Sequence, residues 1–338
     1  MRHVYSSACI ALLLLLGACS SQTPKQPGWI AGNSIYYPEK TYLIGRGQSE
    51  YRSLAQDRAR ADLAKIFQVR LAETSEDEVH YQSDTQKGEQ QSRLQSSSNR
   101  LISTRTKQIL QGVRIAEIWQ DPQSGEFHAL AVLDRNQVGN ILYQRIKKLD
   151  EAAKQELNQI KETRNVLAKI AHANRAIEYQ QQREVEQRLY QIVDPTGRGL
   201  PQRYILPKLM VSRDSLLQRV SINSEVARDP LGDMETIING AIASAGFRLL
   251  NSDKAAYTLV TELQLDKFKD ADGWHWYRGS LQIELYNNKD DVLEGSHRWD
   301  IKVAAQKDKT ALQRVRATID KTLRSELRKV IVQFGLAE

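Results

Sequence analysis

Apolar positions in the first third of the chain alternate between strand-like and helix-like spacing. Tyr42-Leu43-Ile44-Gly45 predicts a short strand. From Tyr51 to about Leu71, the residues Tyr51, Ala55, Ala59, Leu63, Ile66 and Phe67 recur at helical spacing, with Arg52, Asp57, Arg58, Arg60 and Lys65 largely on the other faces. Thr74 to Ser98 is polar with no clear period, which is compatible with an exposed hairpin, a polar helix extension or a loop. Asn99 to Leu110 reads as a helix with Ile102, Arg105, Thr106 and Ile109 on one face. Val113–Trp119 and Phe127–Leu133 read as two strands joined by Asp121-Pro122-Gln123-Ser124-Gly125, a sequence rich in turn formers. The pattern predicts a first domain over 29–133, a small antiparallel sheet with one or two helices packed on it.

Asn140 to Asp194 contains no Gly and no Pro, and its apolar residues fall at near-heptad spacing from Ile141 to Ile192. As one helix the segment would be about 80 Å long at about 1.5 Å per residue. The apolar seam thins between Ala173 and Gln180, which favours two antiparallel helices turning there. The connector is assigned to 134–194, and a second domain to 200–338. In that domain Gln218–Ser224 reads as a strand. Asp229 and Pro230 suit the cap and first turn of a helix whose stripe is Leu231, Met234, Ile237, Ile238, Ala241, Ile242 and Ala245, stopped at Gly246. Tyr257–Phe268, Trp274–Tyr286 and Val292–Ala304 read as consecutive strands, and Thr310–Phe334 as a closing helix. The fold class expected is α+β, with two small antiparallel-sheet-plus-helix domains joined by a long helical segment, most simply a hairpin.

Charge adds little to this reading. The 338 residues carry 48 Lys and Arg against 41 Asp and Glu, a formal charge of +7, but the signs are interspersed and read mostly as solvated faces. A basic balance is compatible with nucleic acid, anionic lipid headgroups or an acidic polymer.

The N-terminus narrows the choice. Arg2 and His3 precede the apolar run Ile10–Leu16, and small residues follow, as in a secretory signal peptide over 1–18. The run is too short to cross a bilayer core of ~30 Å as a helix. Leu16-Gly17-Ala18-Cys19 resembles the lipobox of bacterial lipoproteins, in which the cysteine is acylated and becomes the new N-terminus. Several acyl chains, each methylene contributing about 0.8 kcal/mol, would hold the chain permanently. In the sorting pattern this resembles, aspartate after the cysteine favours the inner membrane, so Ser20 implies the outer one. Residues 19–28 then form a lipidated tether. An extracytoplasmic chain argues against nucleic acid as partner. Of the two cysteines only Cys19 lies beyond the leader, so no internal disulfide is available.

Pro27-Gly28-Trp29, Tyr42-Leu43-Ile44-Gly45-Arg46-Gly47, the Ala- and Arg-rich stretch Ala55–Ala64, Leu110-Gln111-Gly112-Val113 and the segment Ala129–Arg135 together resemble the lipoprotein-20 family over roughly residues 27 to 135. The resemblance implies a role in the cell envelope without known catalysis, and it brings no catalytic or ligand residues. By element order and the Gly246-Phe247 junction, the C-terminal block is similar to the periplasmic α+β domain of the N-terminal part of TolB, curli-secretion lipoproteins and lipoprotein activators of peptidoglycan synthases. That is an analogy of fold.

Candidate chemistry is sparse. Gly45-x-Gly47 sits where a dinucleotide fingerprint would, but Glu50 stands at the third glycine position and would set a negative charge near a pyrophosphate. A glycine turn between strand and helix is the simpler reading. His80, His128, His172, His275 and His297 are not at metal-ligand spacing, so neither a metal nor a cofactor is expected. No Gly-x-Ser-x-Gly occurs. Trp274-His275-Trp276-Tyr277 is the most unusual cluster. On a strand Trp274 and Trp276 share one face, as a binding platform or as cover for the layer beneath the last helix, with Trp299 across the sheet.

The sequence therefore predicts a non-enzymatic lipoprotein, attached to the membrane through Cys19 at the periplasmic face of the outer membrane. It would act as a binding or assembly component of a flagellar, secretion or peptidoglycan-associated structure, with envelope proteins as partners and self-association open. The alternative is a glycan-binding module or envelope enzyme working at Trp274–Tyr277.

Overall fold

A computed structural model describes residues 25–32, 34–82, 89–252, 254–269 and 272–336, without the side chains of 73–98. Cys19, the leader and most of the tether lie outside the described residues. The chain divides into two compact units, Met1–Arg145 with Val185–Leu200 and Ile146–Glu184 with Pro201–Glu338. The α+β class holds.

The first unit contains α1 (Gly28–Ala31), β1 (Tyr42–Ser49), α2 (Arg52–Gln82), α3 (Glu89–Leu110), β2 (Arg114–Gln120) and β3 (Phe127–Asp134). The sheet is antiparallel in the order β1-β3-β2. Central β3 is buried on both faces. Ala129, Ala131 and Leu133 join Ala55, Ala59, Leu63 and Phe67 of α2, while Leu130 and Val132 pack with Ile44 and Trp29. Trp29 Nε1 donates to Glu117 Oε2 at 2.7 Å, and Arg46 Nε donates to the Trp29 carbonyl at 2.8 Å, so α1 is pinned to the sheet.

Two expectations change here. Tyr51 lies just before α2 and is 68% exposed, so it does not belong to the buried stripe. Of the readings open for Thr74–Ser98, the helical one holds over 74–82 and 89–98. Gly45 and Gly47 do not form a turn either. Both lie inside β1, opposite Ala131 and Ala129. A Cβ on Gly45 would strike the Ala59 carbonyl, and one on Gly47 would strike Ala55 O and Ala59 N. Glycine and alanine on the facing elements let strand and helix backbones approach closely, which is a packing requirement.

The segment expected as a connector holds two helices, α4 (Arg135–Glu162) and α5 (Val166–Val193), whose residues are shared between the two units. The break falls at 163–165, about ten residues before the expected turn. Asn165 causes it: its side-chain oxygen accepts the Leu167 and Ala168 N–H groups at 2.9 and 3.2 Å, an N-cap. Partner numbers fall on one helix as they rise on the other, which marks an antiparallel pair: Arg145–Glu186, Asp150–Arg183 and Glu156–Arg175. The seam thins at Gln180 because polar side chains are buried there. Gln180 and Arg183 are almost fully covered and both donate to Asp150 Oδ1. In the first unit, Arg135 donates to the Ile192 and Val193 carbonyls at 3.1 Å, closing the end of α5.

The second unit adds α6 (Leu206–Leu217), absent from the sequence expectation, then β4 (Ser221–Arg228), α7 (Met234–Ser244), β5 (Arg248–Leu249), β6 (Tyr257–Lys269), β7 (His275–Asn287), β8 (Val292–Ala305) and α8 (Asp308–Phe334). Sheet order is β5-β4-β6-β7-β8. The three-strand meander is antiparallel as expected, whereas β4 pairs in parallel with β5 and β6, so the sheet is mixed. The helix after β4 starts at Met234, later than Asp229 and Pro230 implied. Asp229 instead accepts N–H groups from Leu231, Gly232 and Met234, which builds a turn ahead of the helix. Gly246 has φ +85°, the left-handed conformation expected for a helix stop. The core collects Met234, Ile238, Ala241 and Ile242 of α7, Val315, Ile319, Leu323 and Leu327 of α8, and one face of the sheet.

Candidate functional site

Strand alternation assigns β6 and β7 two different faces. Leu259, Leu263, Tyr277, Leu281, Ile283 and Leu285 face the helices and are buried. Their neighbours in sequence face the other way, onto an open polar face carrying Glu262, Gln264, Asp266, Phe268, Trp276, Arg278, Gln282 and Glu284. Register places Phe268 directly across from Trp276, and Trp276 across from Ala304. In the next row Asp266, Arg278 and Lys302 stand side by side.

At this end of the open face the side chains form an aromatic and cationic cluster. The Phe268 and Trp276 rings are parallel, with centroids 6.1 Å apart. The Arg278 guanidinium lies 4.8 Å from the Phe268 centroid and 5.5 Å from that of Trp276, and the Lys302 ammonium lies 5.6 Å from Trp276. Both cations are thus within reach of the negative ring faces. Trp274 precedes β7 by one residue and is 37% exposed, and Phe268 is 38% exposed.

The idea that Trp274 and Trp276 cover the layer under the last helix fails for Trp276, because it stands on the face opposite α8. Trp299 is on the helix side, where its Nε1 donates to Glu326 Oε2 at 2.8 Å. Phe268, Arg278 and Lys302 were not singled out from sequence. The signal lies in the register of β6 against β7, which sets Phe268 opposite Trp276, a relationship that spacing along one strand does not show.

The helix-facing side of the same strand ends is tied to α8. Asp308 accepts from Lys267 Nζ at 2.7 Å and from the Tyr277 hydroxyl at 3.0 Å. The Lys267 hydrogen bond holds the Asp308 carboxyl below its ordinary range and raises the lysine in turn. Burial, then Asp308, pushes the Tyr277 phenol up. His275 Nδ1 is buried 3.5 Å from Asp308 Oδ1. These groups fasten the start of α8 to the β6–β7 ends and so hold the ring pair in place from behind.

His128, His172 and His297 also have structural neighbours. His172 Nδ1 lies 2.6 Å from Glu156 Oε2, which Arg175 also contacts, while His128 and His297 pack against Trp119 and Trp299. Among the described residues no three His, Cys, Asp or Glu side chains converge as metal ligands. A groove of about 350 Å³ in the second unit is lined by Leu157, Ile160, Leu209 and Leu216 with Lys154, Lys161, Tyr204 and Ser212. No described helix is long and apolar enough to cross a membrane.

Comparison with known proteins adds the following. No curated protein matches the chain. Solved structures similar to it include a minor lipoprotein from Acinetobacter baumannii, at 16% identity over 34% of this chain and 91% of that one, with a TM-score of 0.28. Lipoprotein GNA1162 from Neisseria meningitidis is 10% identical over 32% of this chain and 99% of that one, with a TM-score of 0.22. The secreted protein HP1454 from Helicobacter pylori is 12% identical over 88% of this chain and 99% of that one, with a TM-score of 0.35. These likenesses carry no assignment of function. Residues 27–134 match the sequence model of the LPP20 lipoprotein family, so the N-terminal third of the chain is similar to LPP20 lipoproteins over the first unit's sheet and its helices.

Proposed function

We propose that the chain is a lipoprotein anchored through Cys19 at the periplasmic face of the outer membrane, and that it works as a non-enzymatic binding and assembly component of a cell-envelope structure. The lipobox-like Leu16-Gly17-Ala18-Cys19 and the LPP20 match beginning at residue 27 support the anchor. The observation that carries a binding role is the Phe268–Trp276–Arg278–Lys302 cluster on the open face of the sheet, exposed at Phe268, Arg278 and Lys302 and half-buried at Trp276. Anchoring would confine this surface to a thin layer and raise its effective concentration toward envelope partners. Photo-cross-linking from Gln264 or Asp300 on the open face, in intact cells, tests the role. Discrete cross-linked envelope proteins are expected. A chain recovered alone, or one that turns over a glycan or peptide when purified, contradicts it.

The stacked ring pair favours one second reading, a glycan-binding module. Retention of the wild type on purified sacculi, lost in Trp276→Ala with the fold intact, would select it.

A further inference from the structure

Charge on the second unit's sheet is segregated along the strands. The β6–β7 end carries exposed Lys267, Lys269, Arg278 and Lys302, with Lys307 and Lys309 at the adjoining start of α8, against Asp266, Asp272 and Asp308, the last of these paired with Lys267, so that end keeps a cationic excess. The opposite end carries Glu284, Asp290, Asp291 and Glu294 around the β7–β8 turn. Arg278 and Lys302 are directly opposed across β7 and β8, an arrangement of like charges that is unfavourable on a sheet. Neither forms an ion pair among the described residues, and their contacts are the Phe268 and Trp276 rings.

From this juxtaposition we propose that the β6–β7 end of the second unit docks onto an anionic lipid surface, with Phe268, Trp274 and Trp276 at the headgroup level and Arg278 and Lys302 on lipid phosphates. Phosphates between Arg278 and Lys302 would relieve their repulsion. Tryptophan beside lysine and arginine is the composition that settles at a membrane–water interface. The acidic far end would be repelled, which gives the unit a single orientation. Because cations already lie over the ring pair, stacking of a neutral sugar is a poorer match than an anionic surface. The inference rests on the proposed function for residence at a membrane and gives the cluster named there a lipid occupant, leaving the rest of the open face, the rows of Gln264 and Asp300 onward, to protein partners. Its failure is separable, because the anchor is read by acylation and this contact by a chain without the anchor.

The chain from Ser20 onward keeps every described core residue, the first of which is Trp29. It is mixed with vesicles of phosphatidylcholine alone or of phosphatidylcholine with phosphatidylglycerol, and binding is read by co-sedimentation. Binding is expected to the anionic vesicles only, and to fall with added salt. Arg278→Gln with Lys302→Gln should weaken it about tenfold or more. Arg60→Gln with Lys65→Gln, an exposed pair in the other unit, should leave it unchanged. Quenching of tryptophan fluorescence by brominated lipid should fall in Trp274→Phe with Trp276→Phe. Equal loss in both charge pairs would reduce the effect to net charge and overturn the proposal. Absence of vesicle binding would overturn it too, and retention on sacculi in that case would transfer the surface to an anionic glycan.

Discussion

Trp276 and Tyr277 are neighbours in sequence but serve opposite faces of one sheet. Trp276 stacks on Phe268 on the open face, whereas Tyr277 is buried against the helices and donates its hydroxyl proton to Asp308. A surface role and a core role are thus one residue apart. Truncating Trp276 to alanine should cost about 1 kcal/mol, the worth of an aromatic pair. Truncating Leu281, which is buried on the helix face, should cost about 2 to 5 kcal/mol. Urea denaturation of both variants checks this, and equal losses would contradict the assignment of faces.

Gly47 tests the close approach of β1 and α2. Its Cβ position is occupied by the backbone of Ala55 and Ala59, which cannot move aside as a side chain tip can. Gly47→Ala should destabilise the first unit by about 1 to 3 kcal/mol, the usual range for overpacking. Thermal unfolding of the variant should show a lowered midpoint. An unchanged midpoint would mean that strand and helix separate freely.

The buried pair in the helical hairpin makes an asymmetric prediction. Arg183 is 1% exposed, and it donates to Asp150 Oδ1 at 3.1 Å and to the Pro201 carbonyl at 2.9 Å. Asp150→Ala leaves a cation that is 1% exposed without its counter-ion and should cost about 3 kcal/mol, whereas Arg183→Met leaves Asp150 21% exposed and still bonded by Gln180, with the Pro201 carbonyl unpaired, and should cost about 1 to 2 kcal/mol. Equal losses in the two variants would show that the arginine contributes packing in place of charge.

Glu184 supplies a pH dependence. Burial raises its carboxyl from 4.5 to about 7, against the opposing effects of Arg183 and a hydrogen bond from Gln202. Between those values the folded chain holds a proton that the unfolded chain has released. This contribution is complete below pH 4.5 and is lost as pH rises through 7. The loss amounts to roughly 3 kcal/mol. Glu184→Gln should match wild type near pH 4.5 and exceed it in stability at pH 8, as read by denaturation midpoints at the two pH values. A variant less stable than wild type at pH 8 would contradict this.

Much of the fold was legible because its periods are long and clean. The stripe from Leu231 to Ala245 and the three consecutive strands of the meander could be read from one sequence. Partner choice between strands could not: β4 pairs in parallel with β6 across an intervening helix, and nothing in its own residues specifies this. The hairpin break was misplaced because weak apolar content near Gln180 looks like a turn, while the actual signal is one asparagine, Asn165, whose capping role depends on local geometry. At the candidate site Trp274 and Trp276 stood out by composition. Arg278 and Lys302 did not, because their meaning lies in facing each other across strands, a long-range property.

Attachment through Cys19 underlies the proposed function, and metabolic labelling with palmitate reads it out. The wild-type chain is predicted to incorporate label and to fractionate with outer membranes, and Cys19→Ala to lose both. An unlabelled wild type, or a Cys19→Ala chain that still takes up palmitate, would rule out an anchor at Cys19.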